Sequence, residues 1–182
     1  TEEVLIGQAY LQLKKNFPDL KLIVAPRHLK RVSEVERDIQ NIGLTPIRRS
    51  KLNESVSLLP DQVIVLDTTG ELAGIYGLGT AVFIGGSWVR RGGHNTLEPL
   101  CHEVPVFFGP YTHNFAEVTN VVLASGAGQC VKNPQELVQE VTRVLQNPGS
   151  HRKQISLAKE HIVSEQGAVE NTVKLLNPIL KA

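Results

Sequence analysis

The stretch AVFIGGSWVRRGGHNTLEPLCHEVPVFF, residues 81–108, contains the unit that decides the fold. It opens with a short apolar run at 81–84 and continues into a glycine-rich loop at 85–98. A helix start near Asn95 follows, and a second apolar run occupies 104–108. Two neighbouring strands that are joined through a helix run parallel in one sheet. The stretch therefore predicts a strand–helix–strand unit of a parallel sheet.

Further strands and helices alternate on both sides of this unit. Apolar residues with helical spacing run from Val32 to Ile42, and a second set begins at Asn133 with the capping residue Glu136 and runs to Leu145. The strand-like runs are nearly all apolar, which indicates that helices cover both faces of the sheet. We predict an α/β fold, a Rossmann-like doubly wound parallel sheet of about six strands. The remaining strands are 20–25, 46–48, 63–66 and 128–131.

Composition excludes several classes of protein. The formal net charge is +1 and the pI is about 7.8, so the chain lacks the excess of Lys and Arg that a protein needs to coat nucleic acid or anionic lipid. The two cysteines, Cys101 and Cys130, are far apart and outside any CxxC or CxxH spacing, so neither a disulfide framework nor a zinc site is indicated. No apolar run approaches the roughly 18 to 20 residues that cross a bilayer.

One domain is expected over residues 1–182. It ends in two helices within 151–182 that separate near Gly167. The opening residues, Thr1, Glu2 and Glu3, and the absence of methionine lead us to expect that the chain is a piece of a longer polypeptide. The scarcity of cysteine favours a reducing cytoplasm as its compartment.

The glycine-rich loop is the first candidate site, because ligands of parallel α/β sheets bind beyond the carboxyl ends of the strands. The helix start near Asn95 directs N–H groups at an anion such as phosphate, and Ser87 adds a donor. The alternative is a flexible turn with a capping box from Asn95 to Glu98. Glycines let the backbone approach a ligand closely. The glycines of this loop are Gly85, Gly86, Gly92 and Gly93.

Pro26, Arg27 and His28 follow the first predicted strand. Arg27 is the better candidate for a binding role, because a guanidinium binds phosphate or carboxylate through two hydrogen bonds. A surface ion pair is the alternative interpretation. His28 either binds the ligand or orients the loop.

The segment from Asp67 through Gly70 to Glu71 follows the third predicted strand. Its polar groups either cap a helix or line a pocket for a base and a ribose. No HxH, HExxH or DxD motif occurs, so we expect no metal ion at any of these exits.

Five short segments, each present once, follow one another along the chain. They are PRH at 26–28, DTTGEL at 67–72, GGS at 85–87, GGHNTLEP at 92–99 and GPYTHNF at 109–115. Together they resemble the Kdo transferase family over nearly the whole chain. The resemblance implies a two-domain GT-B glycosyltransferase that moves 3-deoxy-D-manno-oct-2-ulosonic acid (Kdo) from CMP-Kdo to a lipid A precursor. This step belongs to lipopolysaccharide core biosynthesis, and the resemblance implies that it uses neither a metal ion nor a further cofactor.

The resemblance also implies which half of the enzyme this chain represents. Residues 1–182 match the C-terminal CMP-Kdo binding domain, so an acceptor domain that carries the catalytic base is expected upstream. The isolated domain is then soluble and binds the donor without turnover. The full-length protein is expected on the cytoplasmic side of the inner membrane of a Gram-negative bacterium, peripheral or anchored.

Roles for single residues follow from the resemblance alone. Arg27 would neutralise the donor phosphate or the sugar carboxylate, and Glu98 would hold the ribose. Asn114 would touch the sugar or close the cleft, while the segment from Asp67 to Glu71 would border the cytosine. The phosphate-binding helix start would be presented by Gly92, Gly93, His94 and Asn95.

Two other functions remain open at this point. One is a different GT-B enzyme, a transferase or epimerase that uses a UDP-sugar, since that fold hosts several chemistries. The other is a non-catalytic module that binds a partner protein through its exposed loops.

Overall fold

The computed structural model describes residues 1–53, 58–149, 151–164 and 173 of the 182-residue chain. Most strands along these residues are followed by a helix, and each strand overlaps a run predicted above. The strands are β1 (Ile23–Val24), β2 (Thr45–Arg48), β3 (Gln62–Val65), β4 (Val82–Ile84), β5 (Val106–Phe108) and β6 (Gly128–Cys130). The helices are α1 (Glu2–Lys14), α2 (Val32–Asn41), α3 (Leu72–Tyr76), α4 (Leu97–Cys101), α5 (Ala116–Ala124), α6 (Pro134–Gln146) and α7 (Arg152–Ser164).

The strand pairs within the described residues are all parallel, in two three-stranded sheets with the orders β1-β3-β2 and β4-β5-β6. The Rossmann-like α/β fold is confirmed, but its six strands form two sheets rather than the single sheet that we predicted. The physical reason lies in β1, which has two residues, Ile23 and Val24, and pairs with β3. Leu20, inside the predicted run, closes a turn by donating its N–H to the Phe17 carbonyl. The run therefore offers few backbone groups for a second ladder.

β5 lies at the centre of the second sheet and is covered on both faces. Phe107 belongs to a core cluster with Leu13 of α1 and Val141 of α6, whereas Phe108 belongs to a second cluster with Val122 of α5. Both aromatic side chains are 2% exposed or less. Burying one such side chain contributes roughly 1.5–3 kcal/mol. The prediction that helices cover both faces is confirmed for this sheet.

Helix α1 is not predicted by the patterns above, yet it joins the two halves of the fold. Tyr10 packs in the core of the first sheet, whereas Ala9 packs with Phe107 in the core of the second. Gly7 lies close to Ile42, the residue that follows α2, and a Cβ at Gly7 would be 2.2 Å from Cδ1 of Ile42. Small residues such as Gly7 and Ala9 on the buried face blur the apolar periodicity that marks a helix in sequence.

The helix ends near the carboxyl terminus match the sequence better. At α6, Oδ1 of Asn133 accepts from the N–H of Glu136 at 2.9 Å, and the Glu136 carboxylate accepts from the N–H of Lys132 at 2.7 Å, which confirms the predicted cap. Of the two predicted C-terminal helices, the first is α7, and the second lies outside the described residues. Within those residues no helix is long and apolar enough to span a bilayer.

Candidate functional site

The glycine-rich loop leaves β4 and folds back on itself. Gly86, Gly92 and Gly93 have φ angles of +69°, +86° and +72°, which other residues rarely adopt. The N–H of Gly93 donates to the Gly86 carbonyl at 2.9 Å and closes the fold. The glycines are therefore required by the shape of the loop itself.

Asn114 holds this loop from the connection after β5. Its N–H donates to the Gly92 carbonyl and its Nδ2 donates to the Arg91 carbonyl, both at 3.1 Å. A Cβ at Gly92 would lie 2.2 Å from Nδ2 of Asn114, so the two residues are in direct contact. The structure thus uses Asn114, which is exposed, to join the loops after β4 and β5. Its contact with a sugar remains a prediction.

Ser87 links the same two loops from the interior. Its side chain is fully buried, and its hydroxyl donates to the Ile84 carbonyl while accepting from the N–H of Gly109 at 2.8 Å. The N–H of Tyr111 donates to the Ser87 carbonyl at 2.9 Å. The hydroxyl that we expected to face a ligand therefore bonds to the protein.

Arg27 meets the glycine-rich loop at the carboxyl edge of the sheets. Its Nη1 lies 2.9 Å from Nδ1 of His94, so the exits of β1 and β4 converge as the fold rule requires. Arg27 and its neighbour His28 are exposed, and Pro26 before them is half-buried. The guanidinium consequently has open faces at the edge where a ligand would bind.

The surroundings of His94 disfavour the protonated form of its imidazole. Burial and the positive charge of Arg27 lower its pKa below the ordinary value, His28 adds to this shift, and the nearby carboxylate of Glu2 opposes it. Because the guanidinium of Arg27 only donates, Nδ1 of His94 must accept, and the ring proton resides on Nε2. The contact between Arg27 and His94 therefore requires an unprotonated Nδ1.

We expect the substitution His94→Gln to flatten the pH dependence of stability. In the wild type, the unfolded chain protonates this ring near its ordinary pKa of 6.5, whereas the folded chain does so only at lower pH. The stability contributed by the neutral ring is complete above about pH 6.5 and is lost as the pH falls through the lowered folded pKa. Urea denaturation across this range should show the wild type losing more stability than the variant. Parallel curves would contradict the assignment.

The helix that follows the glycine-rich loop begins at Leu97 and has five residues. Oδ1 of Asn95 accepts from the N–H of Leu97 at 3.0 Å, and Nδ2 of Asn95 donates to Oε1 of Glu98 at 3.2 Å. This differs from the expected capping box, in which the N–H of Glu98 would be the donor. A helix this short has a small dipole, and the guanidinium of Arg27 adds a full positive charge beside the loop that precedes it. Glu98 is exposed. Burial of the Tyr76 side chain, together with the negative charge of Glu98, raises the pKa of Tyr76 to about 12.

Asp67 and Glu71 form a second group, at the exits of β2 and β3. Asp67 accepts from the N–H and the hydroxyl of Ser50 at 2.8 and 2.6 Å, and these bonds lower its pKa. Glu71 pairs with Arg49 at 3.0 Å, where both side chains are more than a third exposed, and such a pair stabilises little. Gly70 between them has a φ of +82°. The hydrogen bonds of this group run to the β2 exit, not to the glycine-rich loop.

Glu2 is the residue at this site that the sequence analysis missed. Its carboxylate accepts hydrogen bonds from the N–H groups of Gly86, Ser87 and Trp88. A Cβ at Gly85 would lie 3.7 Å from the same carboxylate. No sequence pattern indicated Glu2, because the helix that carries it was not predicted.

Metal-ligating residues do not gather at this edge. Over the described ranges, no group of three or more His, Cys, Asp or Glu side chains is placed to hold a metal ion. Cys101 is exposed and Cys130 is half-buried, and both are free thiols.

Comparisons with known proteins agree with the fold and the motifs. No family model matches the chain. The 3-deoxy-D-manno-octulosonic acid transferase of Aquifex aeolicus is 36% identical over 144 residues, which cover 79% of this chain and 39% of that protein. The transferase of the same description from Haemophilus influenzae is 33% identical over 184 residues, covering 99% and 42%. The chain thus spans about two fifths of the length of these relatives.

A solved structure covers the chain more completely. The C-terminal CMP-Kdo binding domain of WaaA from Acinetobacter baumannii superimposes with a TM-score of 0.78 at 31% identity, over 91% of this chain and 84% of that domain. The fold is that of the C-terminal domain of a GT-B glycosyltransferase. The chain belongs to the Kdo transferase family, which confirms the resemblance carried by the five segments.

Proposed function

We propose that the chain is the donor-binding domain of a Kdo transferase and that it binds CMP-Kdo. The similarity to the Acinetobacter domain supports this proposal. The structural observation that carries it is the 2.9 Å contact of Arg27 with His94, which puts a guanidinium beside the glycine-rich loop. A guanidinium binds both phosphate and carboxylate groups, and CMP-Kdo carries one of each.

The proposed reaction transfers Kdo to a hydroxyl group of a lipid A precursor. The bond from the anomeric carbon to the phosphate oxygen breaks, and the bond to the acceptor oxygen forms. The acceptor proton passes to a carboxylate base that we assign to an upstream domain. Negative charge grows on the departing CMP, and the guanidinium of Arg27 stabilises it. On this scheme the transfer needs no metal ion and no cofactor beyond the donor, and this domain alone binds without turnover.

The proposed partners follow from the same scheme. They are CMP-Kdo, the protein's own N-terminal domain and, through that domain, the lipid A precursor. A lipid acceptor confines the full-length enzyme to a membrane surface, so we propose the cytoplasmic side of the bacterial inner membrane for it.

Calorimetric titration of the 182-residue chain with nucleotides tests the choice of donor. We expect CMP to bind about tenfold more tightly than UDP, because hydrogen bonds to the cytosine distinguish the two bases. Both affinities should be weak, because half of the cleft is missing. Tighter binding of UDP or UDP-N-acetylglucosamine would favour an enzyme that uses a UDP-sugar. A melting temperature that no nucleotide raises would favour a non-catalytic module.

A further inference from the structure

Three backbone N–H groups of the glycine-rich loop converge on one carboxylate. The N–H of Gly86 donates to Oε2 of Glu2 at 2.5 Å, and those of Ser87 and Trp88 donate to Oε1 at 3.1 and 2.7 Å. Consecutive N–H groups that point at one anion form the nest in which proteins hold phosphate or carboxylate groups. Here the anion is a side chain from the first residue of α1, a helix buried against both sheets.

Gly86 connects the Glu2 carboxylate to His94 and Arg27. A Cβ at Gly86 would lie 3.5 Å from Nε2 of His94, so the Gly86 backbone packs against the imidazole. The other side of that ring, at Nδ1, contacts Arg27. The Gly86 carbonyl also accepts the hydrogen bond from the N–H of Gly93 that closes the loop. A shift of Gly86 would therefore move His94 and, with it, the partner of Arg27.

We infer that Glu2 is a positioning residue for the donor: it clamps Gly86, Ser87 and Trp88 so that His94 and Arg27 are set for the anionic part of the ligand. This inference rests on the proposed function. Because the carboxylate already satisfies the three N–H groups, the donor phosphate meets Arg27 and not the amides of the nest. Gly86 and Ser87, which the sequence predicted as ligand-binding, then act by shaping the loop.

The adjacent residue Glu3 provides a matched control. Its carboxylate bonds to Arg31 at 2.9 Å and makes no bond in the nest. The substitutions Glu2→Gln and Glu3→Gln remove the same charge from the same helix turn, so their effects on the helix dipole are alike. They differ in the loop, where the single carbonyl oxygen of a glutamine cannot serve both positions of the carboxylate.

Calorimetry of CMP with the two variants of the 182-residue chain tests the inference. We expect Glu2→Gln to weaken binding about tenfold, as for the loss of a charge-assisted hydrogen bond, and Glu3→Gln to change it less than about twofold. Glu2→Ala should bind at least as weakly as Glu2→Gln. Unchanged affinity in Glu2→Gln would overturn the inference. Tighter binding would also overturn it, because Glu2 would then be a competitor that the donor displaces from the nest.

A second readout reports on the loop without any ligand. Trp88 is the only tryptophan in the sequence, and its indole N–H donates to the Val131 carbonyl at 2.7 Å. We expect Glu2→Gln to speed amide exchange at Gly86, Ser87 and Trp88 and to shift the Trp88 emission, and Glu3→Gln to do neither.

The two readouts separate this inference from the proposed function. Failure of the wild type to bind CMP would remove the proposed function. Faster exchange in Glu2→Gln would in that case still support the clamp on the loop. Unchanged exchange together with unchanged emission would overturn the clamp, whichever nucleotide the wild type binds.

Discussion

Replacement of Arg27 by alanine is expected to weaken CMP binding about tenfold to a hundredfold. The guanidinium is exposed at the β1 exit, and its Nη1 lies 2.9 Å from Nδ1 of His94. On the proposed function, the substitution removes the charge that would bind the donor phosphate, and it also leaves His94 without this contact. Hydrogen bonds between charged partners are about twice as strong as neutral ones, which sets the size of the effect. Calorimetric titration of the variant measures it.

Two further variants separate the geometry of Arg27 from its charge. Arg27→Lys keeps the charge and loses the two-pronged hydrogen bonding, so its affinity should fall between those of the wild type and the alanine variant. Arg143→Ala removes one positive charge from a side chain that is 67% exposed on α6. Its affinity should stay within about twofold of the wild type, because salt screens a distant surface charge. Equal affinities of Arg27→Ala and wild type would remove Arg27 from the donor site.

The substitution Gly109→Ala is expected to destabilise the fold by about 1–3 kcal/mol or more. A Cβ at this position would lie 2.3 Å from the carbonyl oxygen of Ser87 and 2.5 Å from Cδ1 of Trp88. Ser87 cannot withdraw easily, since it is fully buried and its hydroxyl also bonds to Ile84. The loops after β4 and β5 would therefore have to separate. Urea denaturation measures the change in the free energy of unfolding, and CMP affinity should fall with it.

Gly74→Ala is the matched control for this substitution. Gly74 lies within α3 and is exposed, and nothing lies within 4 Å of a Cβ built there. Alanine is favoured over glycine inside a helix, so we expect this variant to be more stable by about 0.5–1 kcal/mol. Opposite signs at the two positions would support the close approach of the loops. An unchanged free energy of unfolding in Gly109→Ala would contradict it.

Local sequence patterns predicted the strands better than they predicted the caps and contacts. The pattern of an asparagine followed three residues later by a glutamate occurs three times, and two of the instances, at Asn133 and at Asn114, behave differently. Asn133 caps α6, with its Oδ1 2.9 Å from the N–H of Glu136. Asn114 instead donates to the Arg91 carbonyl, because the fold brings the glycine-rich loop within its reach. The same short pattern thus serves a helix in one place and a loop-to-loop contact in the other.

The sequence predicted several residues at the carboxyl edge of the sheets, but it did not predict the contacts that these residues make. Arg27 and His94 were both expected at the carboxyl edge, and the structure brings them into contact. For Asp67 and Glu71 the sequence left helix capping and a pocket for a base and a ribose both open, and their hydrogen bonds run to Ser50 and Arg49 at the β2 exit. Both outcomes depend on which side-chain partners are nearest in space, and motif order along the chain carries no such information.

Sequence alone determined the parallel α/β fold, the family and the strand exits that carry polar residues, because these depend on short apolar runs, glycines and motif spacing. Tertiary structure alone decided that Glu2 binds the amides of the glycine-rich loop. That contact joins residues 84 to 86 positions apart, and it exists because α1 is buried against both sheets. Packing of this kind depends on the shapes of distant surfaces, which no local pattern of residues encodes.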